Sequence, residues 1–305
     1  MICILSDSNV ASAILRRGNL VAFPTDTVYG LGGNAYSDLA VSKIFQCKQR
    51  PSFNPISVCY ADINSAKNDV EITPLAKKIA SKFMPGAITL ILERKKNSKV
   101  SWLCSAGTNT LGIRIPNNQT AISLLKKLNF PLAAPSANMS QGISATNAKD
   151  VASGFDFDIN LTILDGGDCP VGIESTIIDL TQEQPTITRI GAISADELKQ
   201  KIGVNFVIKT NNLTKHYTPS KEIIINALTA GKRDAFLGFG YIEFKGCKYS
   251  LNLSPTGDIN EAAKNFFSMI HQLDASKAKN ICIAPIPNVG IGEAINLKLL
   301  QMVMN

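Results

Sequence analysis

The sequence predicts an α/β protein with two units. The larger one is built on an open, twisted mixed sheet with helices on its faces, and a smaller α/β unit follows it. Short apolar runs typical of buried strands alternate along the chain with the apolar spacing of amphipathic helices. With 45% hydrophobic and 18% charged residues, the chain has enough apolar surface to form a core. Its 305 residues are long for one domain and comfortable for two.

Two helices are predicted on either side of the first internal strand. The first starts at Ser8, which serves as its N-cap, and ends before the next glycine. The second starts after Ser37 and ends before Pro51, because proline disfavours helical geometry in the residue that precedes it. That ending leaves Lys48 and Arg50 in an irregular loop. There the two cations either flank an anion or simply suit the dipole at the helix end.

The strand between these helices, residues 20–23, leads into the stretch around which the larger unit is organised. Pro24 stops the strand because it has no N–H to donate. The polar segment Thr25-Asp26-Thr27 follows, ahead of three glycines, at the kind of strand end where open α/β sheets bind ligands. Two interpretations stay open: a ligand-binding loop, or a turn in which Asp26 caps a bend and the glycines supply positive φ.

The rest of the larger unit alternates predicted strands and helices. Strands are predicted at residues 56–60, 87–92, 110–115, 132–134, 162–164, 175–180 and 186–190, and helices at 73–83, 119–128 and 194–202. Arg114 lies inside one of these strands, between two isoleucines. An arginine in an apolar strand either pairs with a carboxylate or faces an anionic ligand, because leaving it unpaired costs several kcal/mol.

A change in pattern at residues 206–220 predicts an interdomain linker, since this segment is polar and has no periodicity. The domains are then 1–205 and 221–305. Within the second, strands are predicted at 222–226, 235–239 and 281–286, and helices at 258–273 and 290–302.

Several classes of active site are excluded or disfavoured by the motifs. No phosphate-binding loop of the G-x-x-x-x-G-K-[ST] type and no G-x-S-x-G occurs, and the histidines, His216 and His271, both lie outside the first domain. Gly290-Ile-Gly292 lacks the third glycine of a dinucleotide fingerprint, so a tight turn is the favoured interpretation.

Net charge, cysteine content and hydropathy indicate the kind of ligand and the cellular compartment to expect. A net charge of +7 suits an anionic ligand or a weak RNA contact. The seven cysteines are scattered, with no C-x-x-C, which favours free thiols in a reducing compartment over disulfides or a zinc site. No run approaches the length of a membrane span, so a cytoplasmic protein without membrane contact is expected.

The larger unit therefore offers hydroxyl-rich and amide-rich strand ends together with four cations: Lys48, Arg50, Arg114 and Arg189. Such a set can hold a polyanion and a small zwitterion through charge and hydrogen bonds. Reactions that depend on positioning and electrostatics fit it best, and phosphoryl or nucleotidyl transfer is the natural candidate.

Five blocks of this sequence resemble, in order and spacing, the YrdC-type threonylcarbamoyl-AMP synthases. They are Phe23-Pro-Thr-Asp-Thr-Val-Tyr-Gly-Leu-Gly32, Lys48-Gln-Arg-Pro51 with Asn54-Pro55, Phe83-Met-Pro-Gly86, Ala133-Ala-Pro-Ser-Ala-Asn138 and Glu174-Ser-Thr-Ile177. The segment from His216-Tyr-Thr-Pro219 onward looks like the longer two-domain branch of that family. The resemblance implies a YrdC-like fold with an added small Rossmann-like domain.

The same resemblance implies an activity. L-threonine, bicarbonate or CO2, and ATP with Mg²⁺ would become threonylcarbamoyl-adenylate and pyrophosphate. A downstream threonylcarbamoyl-transferase complex would use the adenylate to make threonylcarbamoyladenosine (t6A) in tRNAs that read codons beginning with A.

Site residues follow from the resemblance by matching position. Threonine would be held by Thr27, Cys59, Arg114, the backbone of Ala134, and Ser175, with Cys59 standing where the family usually has histidine. ATP would be held by Lys48, Arg50, Asn54, Thr110, Ser136, Ser144 and Arg189, with Tyr217 closing over it. Lys48 and Arg50 would be the catalytic cations. Met84 stands for a common tryptophan, and Leu297-Lys298 for an expected Asp-Arg pair in the last helix.

Two other classes of function compete with this enzyme. A basic protein with a pI near 9.0 could be an RNA-binding or ribosome-maturation module without turnover. A carbamoyl-transfer module of hydrogenase maturation shares this type of domain, but such proteins also need an acylphosphatase domain and paired C-x-x-C zinc sites, neither of which this sequence contains.

Overall fold

The computed structural model describes residues 1–155, 160–210, 216–241 and 246–304. Within these ranges the chain forms two sheets with helices packed on them, which confirms the predicted α/β class. The strands of the first sheet are β1 (Ile2–Leu5), β2 (Val21–Phe23), β3 (Gly30–Asn34), β4 (Val58–Cys59), β5 (Ile88–Glu93), β6 (Thr110–Arg114), β7 (Leu132–Ala133), β8 (Leu161–Leu164), β9 (Thr176–Asp179), β10 (Thr186–Arg189) and β11 (Val207–Ile208). Its helices are α1 (Ser8–Arg16), α2 (Asp38–Lys48), α3 (Ile63–Ala66), α4 (Pro74–Phe83), α5 (Gln119–Lys126), α6 (Ala148–Ser153) and α7 (Ala195–Ile202).

The first sheet is mixed, with the spatial order β1-β8-β2-β3-β7-β4-β6-β5-β9-β10-β11. It contains parallel pairs, such as β4 with β6 and β5 with β9, and antiparallel pairs, such as β2 with β3. Strands that are far apart in sequence thus become neighbours. This order brings the ends of β2, β6, β7, β9 and β10 to one cavity, and no local pattern contains that information.

The glycines after the first loop form a strand, so their interpretation as a turn is wrong. None of Gly30, Gly32 and Gly33 has a positive φ, and all three lie in β3. Small size is the reason for glycine here: a Cβ on Gly32 would lie 2.8 Å from a ring carbon of Phe23 on the paired strand. The bulky ring fills the space that the glycine leaves.

The helix starts mostly follow the sequence signals. Ser37 and Thr73 cap α2 and α4 through their side chains, but the N-cap of α1 is Asp7 and not Ser8. The end of α2 also differs from the prediction, because Lys48 is its last residue and the chain turns at Gln49, which is left-handed with φ 50°. This turn separates Lys48 from Arg50.

The second sheet is fully parallel, with the order β12-β15-β13-β14. Its strands are β12 (Glu222–Ile224), β13 (Ala235–Gly238), β14 (Tyr249–Asn252) and β15 (Asn280–Ile283), and its helices are α8 (Ile259–Asp274) and α9 (Ile291–Val303). The strand β14 has no counterpart in the prediction. Gly290-Ile-Gly292 is the start of α9: a Cβ on Gly292 would lie 2.1 Å from the Pro287 carbonyl, which explains the residue by packing.

The two sheet units share one apolar cluster, which contains Val28 and Ile173 from the first unit together with Tyr217 and Phe267. The Tyr217 and Phe267 rings lie 5.3 Å apart between centroids. Within the predicted linker, Val207–Ile208 pairs with β10, and residues 211–215 lie outside the described ranges. The proposed boundaries at 205 and 221 stay predictions.

Among the described residues, we find no helix that combines the length and the apolar character needed to cross a membrane.

Candidate active site

A cavity of about 440 Å³ opens at the strand ends of the first sheet. It is lined by side chains from the loop after β2, from β4, β6 and β10, from the segments after β7 and before β9, and from α9. Of the predicted site residues, those that line it are Thr27, Arg50, Cys59, Arg114, Ala134, Ser136, Ser175, Arg189 and Tyr217. These nine come from positions spread over most of the chain.

The loop after β2 is held by hydrogen bonds among its own residues. The Thr25 hydroxyl donates to the Val28 carbonyl at 2.7 Å and lies 3.1 Å from the Thr27 hydroxyl oxygen. All three threonine and aspartate side chains in this loop are buried. The loop is therefore more than a turn, because its hydroxyls face the cavity in a fixed arrangement.

Arg114, at the end of β6, has an internal partner. Its Nη2 lies 2.5 Å from Asp26 Oδ1, and its Nη1 donates to the Thr27 hydroxyl at 2.8 Å. The backbone N–H of Asn117 donates to the same Asp26 oxygen at 3.0 Å. Of the two possibilities that the sequence left open for Arg114, a carboxylate pair and an anionic ligand, the structure contains the carboxylate pair. Arg114 still lines the cavity. Because of its contacts with Asp26 and Thr27, its charge is balanced and its guanidinium plane is already oriented.

In the part of the chain that the structure describes, Arg50 and Arg189 have no such carboxylate partner. Arg50 donates to the carbonyls of Asn54 and Pro55, and Arg189 donates to the carbonyl and hydroxyl of Ser175. Among the described residues, neither guanidinium has a carboxylate within ion-pair distance. Burial, with the nearby Arg189 charge, lowers the pKa of Arg50 to about 10. Two guanidinium groups whose charges act on each other, and which are held only by neutral oxygens, favour an anionic ligand between them.

Lys48 lies behind the cavity wall and not in a loop that faces it. Its side chain is almost fully buried, and Nζ donates to the Ser136 carbonyl at 2.6 Å and to the Asn138 carbonyl. Burial, with the neighbouring Arg50 charge, lowers the pKa of Lys48 to about 7. In this arrangement Lys48 supports the segment that carries Ser136, and direct contact with ATP stays a prediction.

The predicted threonine contacts are adjacent in the sheet. Cys59 and Arg114 are register partners on β4 and β6, and burial raises the pKa of the Cys59 thiol to about 11, so it remains a neutral, weakly polar group. The Ala134 N–H already donates to the Ser57 carbonyl at 2.9 Å, so any backbone contact with a ligand would use the carbonyl. Ser175 lies 2.8 Å from the Thr89 hydroxyl.

Besides Lys48, three more predicted ATP contacts do not line the cavity. The Asn54 carbonyl accepts a hydrogen bond from Arg50, and Ser144 donates to Glu174 Oε1 at 2.7 Å, so both support residues of the wall. Thr110 starts β6, four residues before Arg114 and, at about 3.3 Å per residue, roughly 13 Å from it. Their roles toward ATP stay predictions.

Sequence reasoning missed two charged wall residues, Glu174 and Lys298. Tyr217 donates to Glu174 Oε1 at 2.9 Å, and Lys298 Nζ lies 2.8 Å from Glu174 Oε2. Burial alone would raise the pKa of Glu174, but Lys298, Arg189 and two hydrogen bonds outweigh it and lower the pKa to about 2. A signal for Lys298 existed, since it falls among the buried positions of α9, where a leucine would be expected.

Metal ligation by the protein alone has little support. In the part of the chain that the structure describes, no three His, Cys, Asp or Glu side chains come together as a metal site. The carboxylate on the cavity wall, Glu174, is already paired with Lys298. Magnesium, which prefers phosphate and other hard oxygen ligands, stays a prediction tied to ATP.

Two family models together match most of this chain. The model Sua5/YciO/YrdC, described as "Telomere recombination", matches residues 13–191. The chain belongs to the Sua5/YciO/YrdC family. A second model, described as "Threonylcarbamoyl-AMP synthase, C-terminal domain", matches residues 186–301.

Curated relatives agree with both models. The threonylcarbamoyl-AMP synthase of Pyrococcus abyssi is 33% identical over 95% of this chain and 92% of its own length. The Bacillus subtilis enzyme of the same name is 32% identical over 95% of this chain and 91% of its own. The family resemblance is thus confirmed, and so is the prediction of an enzyme of the nucleotidyl-transfer type.

Solved structures extend the agreement to the fold. The crystal structure of P. abyssi Sua5 complexed with L-threonine matches with a TM-score of 0.86 at 29% identity, covering 99% of this chain and 97% of that one. Escherichia coli YciO, at 23% identity and a TM-score of 0.56, covers 65% of this chain and 97% of its own, and shows a shared fold only.

Proposed function

We propose that this chain makes threonylcarbamoyl-AMP and pyrophosphate from L-threonine, bicarbonate or CO2, and ATP. The observation that carries the proposal is the pair of cations, Arg50 and Arg189, on the wall of one cavity without a carboxylate partner among the described residues. A triphosphate supplies the negative charge that these cations lack. The related threonine complex supports the amino acid as the second ligand.

Threonine would bind where hydroxyls and a paired arginine meet. Thr27, Cys59, Arg114 and Ser175 all line the cavity. The oriented guanidinium of Arg114 suits a carboxylate, and buried hydroxyls suit the threonine side chain. A buried polar group left unpaired by the wrong amino acid is a strong means of rejection.

The reaction then needs no protein nucleophile. The nitrogen of the neutral threonine amine attacks the carbon of CO2 and releases a proton to solvent, or attacks bicarbonate with loss of water, to give a carbamate. One carbamate oxygen then attacks the α-phosphorus of ATP. The bond from that phosphorus to the bridging oxygen breaks, and pyrophosphate leaves with the electron pair. The protein contributes orientation, the opposing charge of Arg50 and Arg189, and a partly enclosed cavity that limits hydrolysis of the carbamate.

Magnesium would arrive with ATP, neutralising phosphate charge when bound. The cavity wall offers cations and hydroxyls, and among the described residues no three-ligand metal cluster. The phosphate oxygens of ATP, and not the protein, would therefore hold the ion. We further propose that the adenylate is passed to a threonylcarbamoyl-transferase complex for t6A formation in tRNA, in the cytoplasm. A weak RNA contact by the basic surface stays a prediction.

The test is a pyrophosphate-release assay with purified protein, L-threonine, bicarbonate, ATP and Mg²⁺, with mass spectrometry of the adenylate product. We expect pyrophosphate and threonylcarbamoyl-adenylate only when all components are present. Omission of each component in turn is the control. Pyrophosphate release that does not depend on threonine, or the absence of the adenylate, contradicts the proposal.

A further inference from the structure

The last helix, α9, sends a buried lysine to the wall of the active-site cavity. Lys298 is 2% exposed and lies among the buried apolar residues of this helix, including Ile295 and Leu299. Burying an ammonium group without a counter-charge is strongly unfavourable, so its partners explain its presence. Those partners belong to the first sheet unit and to the segment that joins the two units.

Glu174 is the centre of the contacts that Lys298 makes. Lys298 Nζ lies 2.8 Å from Glu174 Oε2 and donates to the Tyr217 hydroxyl at 3.2 Å. The Tyr217 hydroxyl in turn donates to Glu174 Oε1 at 2.9 Å, and Ser144 donates to the same oxygen at 2.7 Å. One carboxylate thus receives donors from three separate parts of the chain.

Glu174 directly precedes Ser175, which lines the cavity. Its backbone carbonyl accepts the Ala192 N–H at 2.9 Å, and the Ser175 carbonyl accepts from Arg189 Nε at 2.9 Å. A displacement of the Glu174 side chain would therefore disturb Ser175 on one side and the ring of Tyr217 on the other. Both are wall residues of the proposed active site.

We propose that Lys298 is a positioning residue of this active site. It holds Glu174 and Tyr217 and so fixes the section of the wall formed by Ser175 and Tyr217, which makes the second sheet unit part of the catalytic apparatus. Two of the three N–H donors of the ammonium have partners in Glu174 and Tyr217, and it is through these contacts that Lys298 would act. This inference rests on the proposed function.

The test compares three variants in the pyrophosphate-release assay, with threonine affinity measured in parallel by calorimetry. Lys298→Met keeps the length of the side chain and removes its charge. Glu174→Gln combined with Lys298→Met removes both charges, and the glutamine oxygen still accepts from Ser144 and Tyr217. Lys277→Met, at an exposed lysine of the same sheet unit, is the matched control.

We expect Lys298→Met to lower kcat by about 10- to 100-fold and to weaken threonine binding several-fold. The double variant should recover at least fivefold in kcat over Lys298→Met and remain below wild type, because the unpaired carboxylate is gone but the ion pair is not restored. The control should keep wild-type constants.

Wild-type kinetics and threonine affinity in Lys298→Met would overturn the inference. A loss that Glu174→Gln does not relieve would overturn it too, since Lys298 would then act on the ligand directly.

Should Lys298→Met fail to fold by circular dichroism, the charge-neutral double variant decides alone: wild-type kcat in the folded double variant contradicts a positioning role. Failure of the proposed function is distinguished by the wild type, which would then release no threonine-dependent pyrophosphate, while the calorimetric comparison still tests Lys298.

Discussion

The arginines of the cavity wall differ in whether a carboxylate balances their charge. Arg114 lies 2.5 Å from Asp26 and is hydrogen-bonded to Thr27, so its charge is balanced inside the protein. Arg50 and Arg189 are held by carbonyl and hydroxyl oxygens, and no carboxylate among the described residues pairs with them.

The difference indicates two roles: Arg114 would orient a ligand, and Arg50 and Arg189 would supply positive charge to one. A paired guanidinium is fixed in direction and adds little net charge, which suits recognition of a small zwitterion. An unpaired one leaves its charge available to a polyanion, and it destabilises the free protein until the ligand arrives. The predictions below test this contrast, beginning with the largest expected effect.

Removing an unpaired cation should affect activity most. We expect Arg189→Met to lower kcat/KM for ATP by about 1000-fold, or roughly 4 kcal/mol, because no other group replaces its charge beside the phosphates. Steady-state kinetics with varied ATP measure this effect. Arg17→Met, at an exposed arginine that does not line the cavity, is the control. A loss below tenfold would show that Arg189 does not face the triphosphate.

Breaking the paired region should affect stability first. Asp26→Asn leaves the buried Arg114 without its counter-charge, and we expect a loss of about 3 kcal/mol in the free energy of unfolding. Urea denaturation of the ligand-free protein measures it. The double variant Asp26→Asn with Arg114→Met should lose less than the sum of the single losses, since the two residues act as a pair. Additive losses would mean that the ion pair contributes nothing.

Acid should destabilise the protein through two buried titratable side chains, His216 and Glu174, while the arginines stay charged. Burial lowers the pKa of His216 from 6.5 to about 4, so the unfolded chain binds more protons between these values and stability falls as pH drops from 6.5 to 4. For His216 we expect a loss of roughly 2.5 kcal/mol in the free energy of unfolding over this window. The pKa of Glu174, lowered from 4.5 to about 2, adds a further loss as pH falls from 4.5 to 2.

Thermal unfolding at a series of pH values separates the two contributions. His216→Asn should flatten the stability curve between pH 4 and 6.5, and Glu174→Gln should flatten it only below pH 4.5. An unchanged slope in His216→Asn above pH 4.5 would be evidence against the buried neutral imidazole.

An exposed ion pair gives the smallest expected effect and calibrates the others. Lys201 lies 2.7 Å from Glu197 on α7, nearly the distance between Lys298 and Glu174, but both side chains are more than one third exposed. We expect Glu197→Ala to change the free energy of unfolding by at most about 0.5 kcal/mol, because solvent screens the pair. Chemical denaturation measures it, and a loss above about 1 kcal/mol would undermine the argument that burial makes the difference.

Much of the fold was predictable because many of its strands and helices depend on local sequence patterns. The apolar runs at 87–92, 110–115 and 186–190 are the strands β5, β6 and β10 to within one or two residues. The helices predicted to start at Thr73 and Ser194 are α4 and α7, and those two residues are their N-caps. Strands without a distinctive run, such as the glycine-rich β3, were missed. Their conformation is decided by the neighbouring strand and not by their own residues.

The candidate site was predictable in its residue types but not in its arrangement. Arg114 was identified because an arginine between isoleucines needs a partner, yet the choice of Asp26 required the ends of β2 and β6 to meet. Lys48 was assigned to a loop, whereas the left-handed Gln49 keeps it in α2 and buries it behind Ser136. Lys298 was noted only as a departure from the family.

The sequence by itself determined most of the strands and helices, which loops carry hydroxyls, and which family the chain resembles. These properties depend on neighbours within a few positions, or on motifs whose order can be seen along the chain. Only the tertiary structure decided which cations are balanced and which are left unpaired. Charge compensation acts over a few ångströms in space, and Asp26 with Arg114 or Glu174 with Lys298 come that close only after the sheets and α9 have packed.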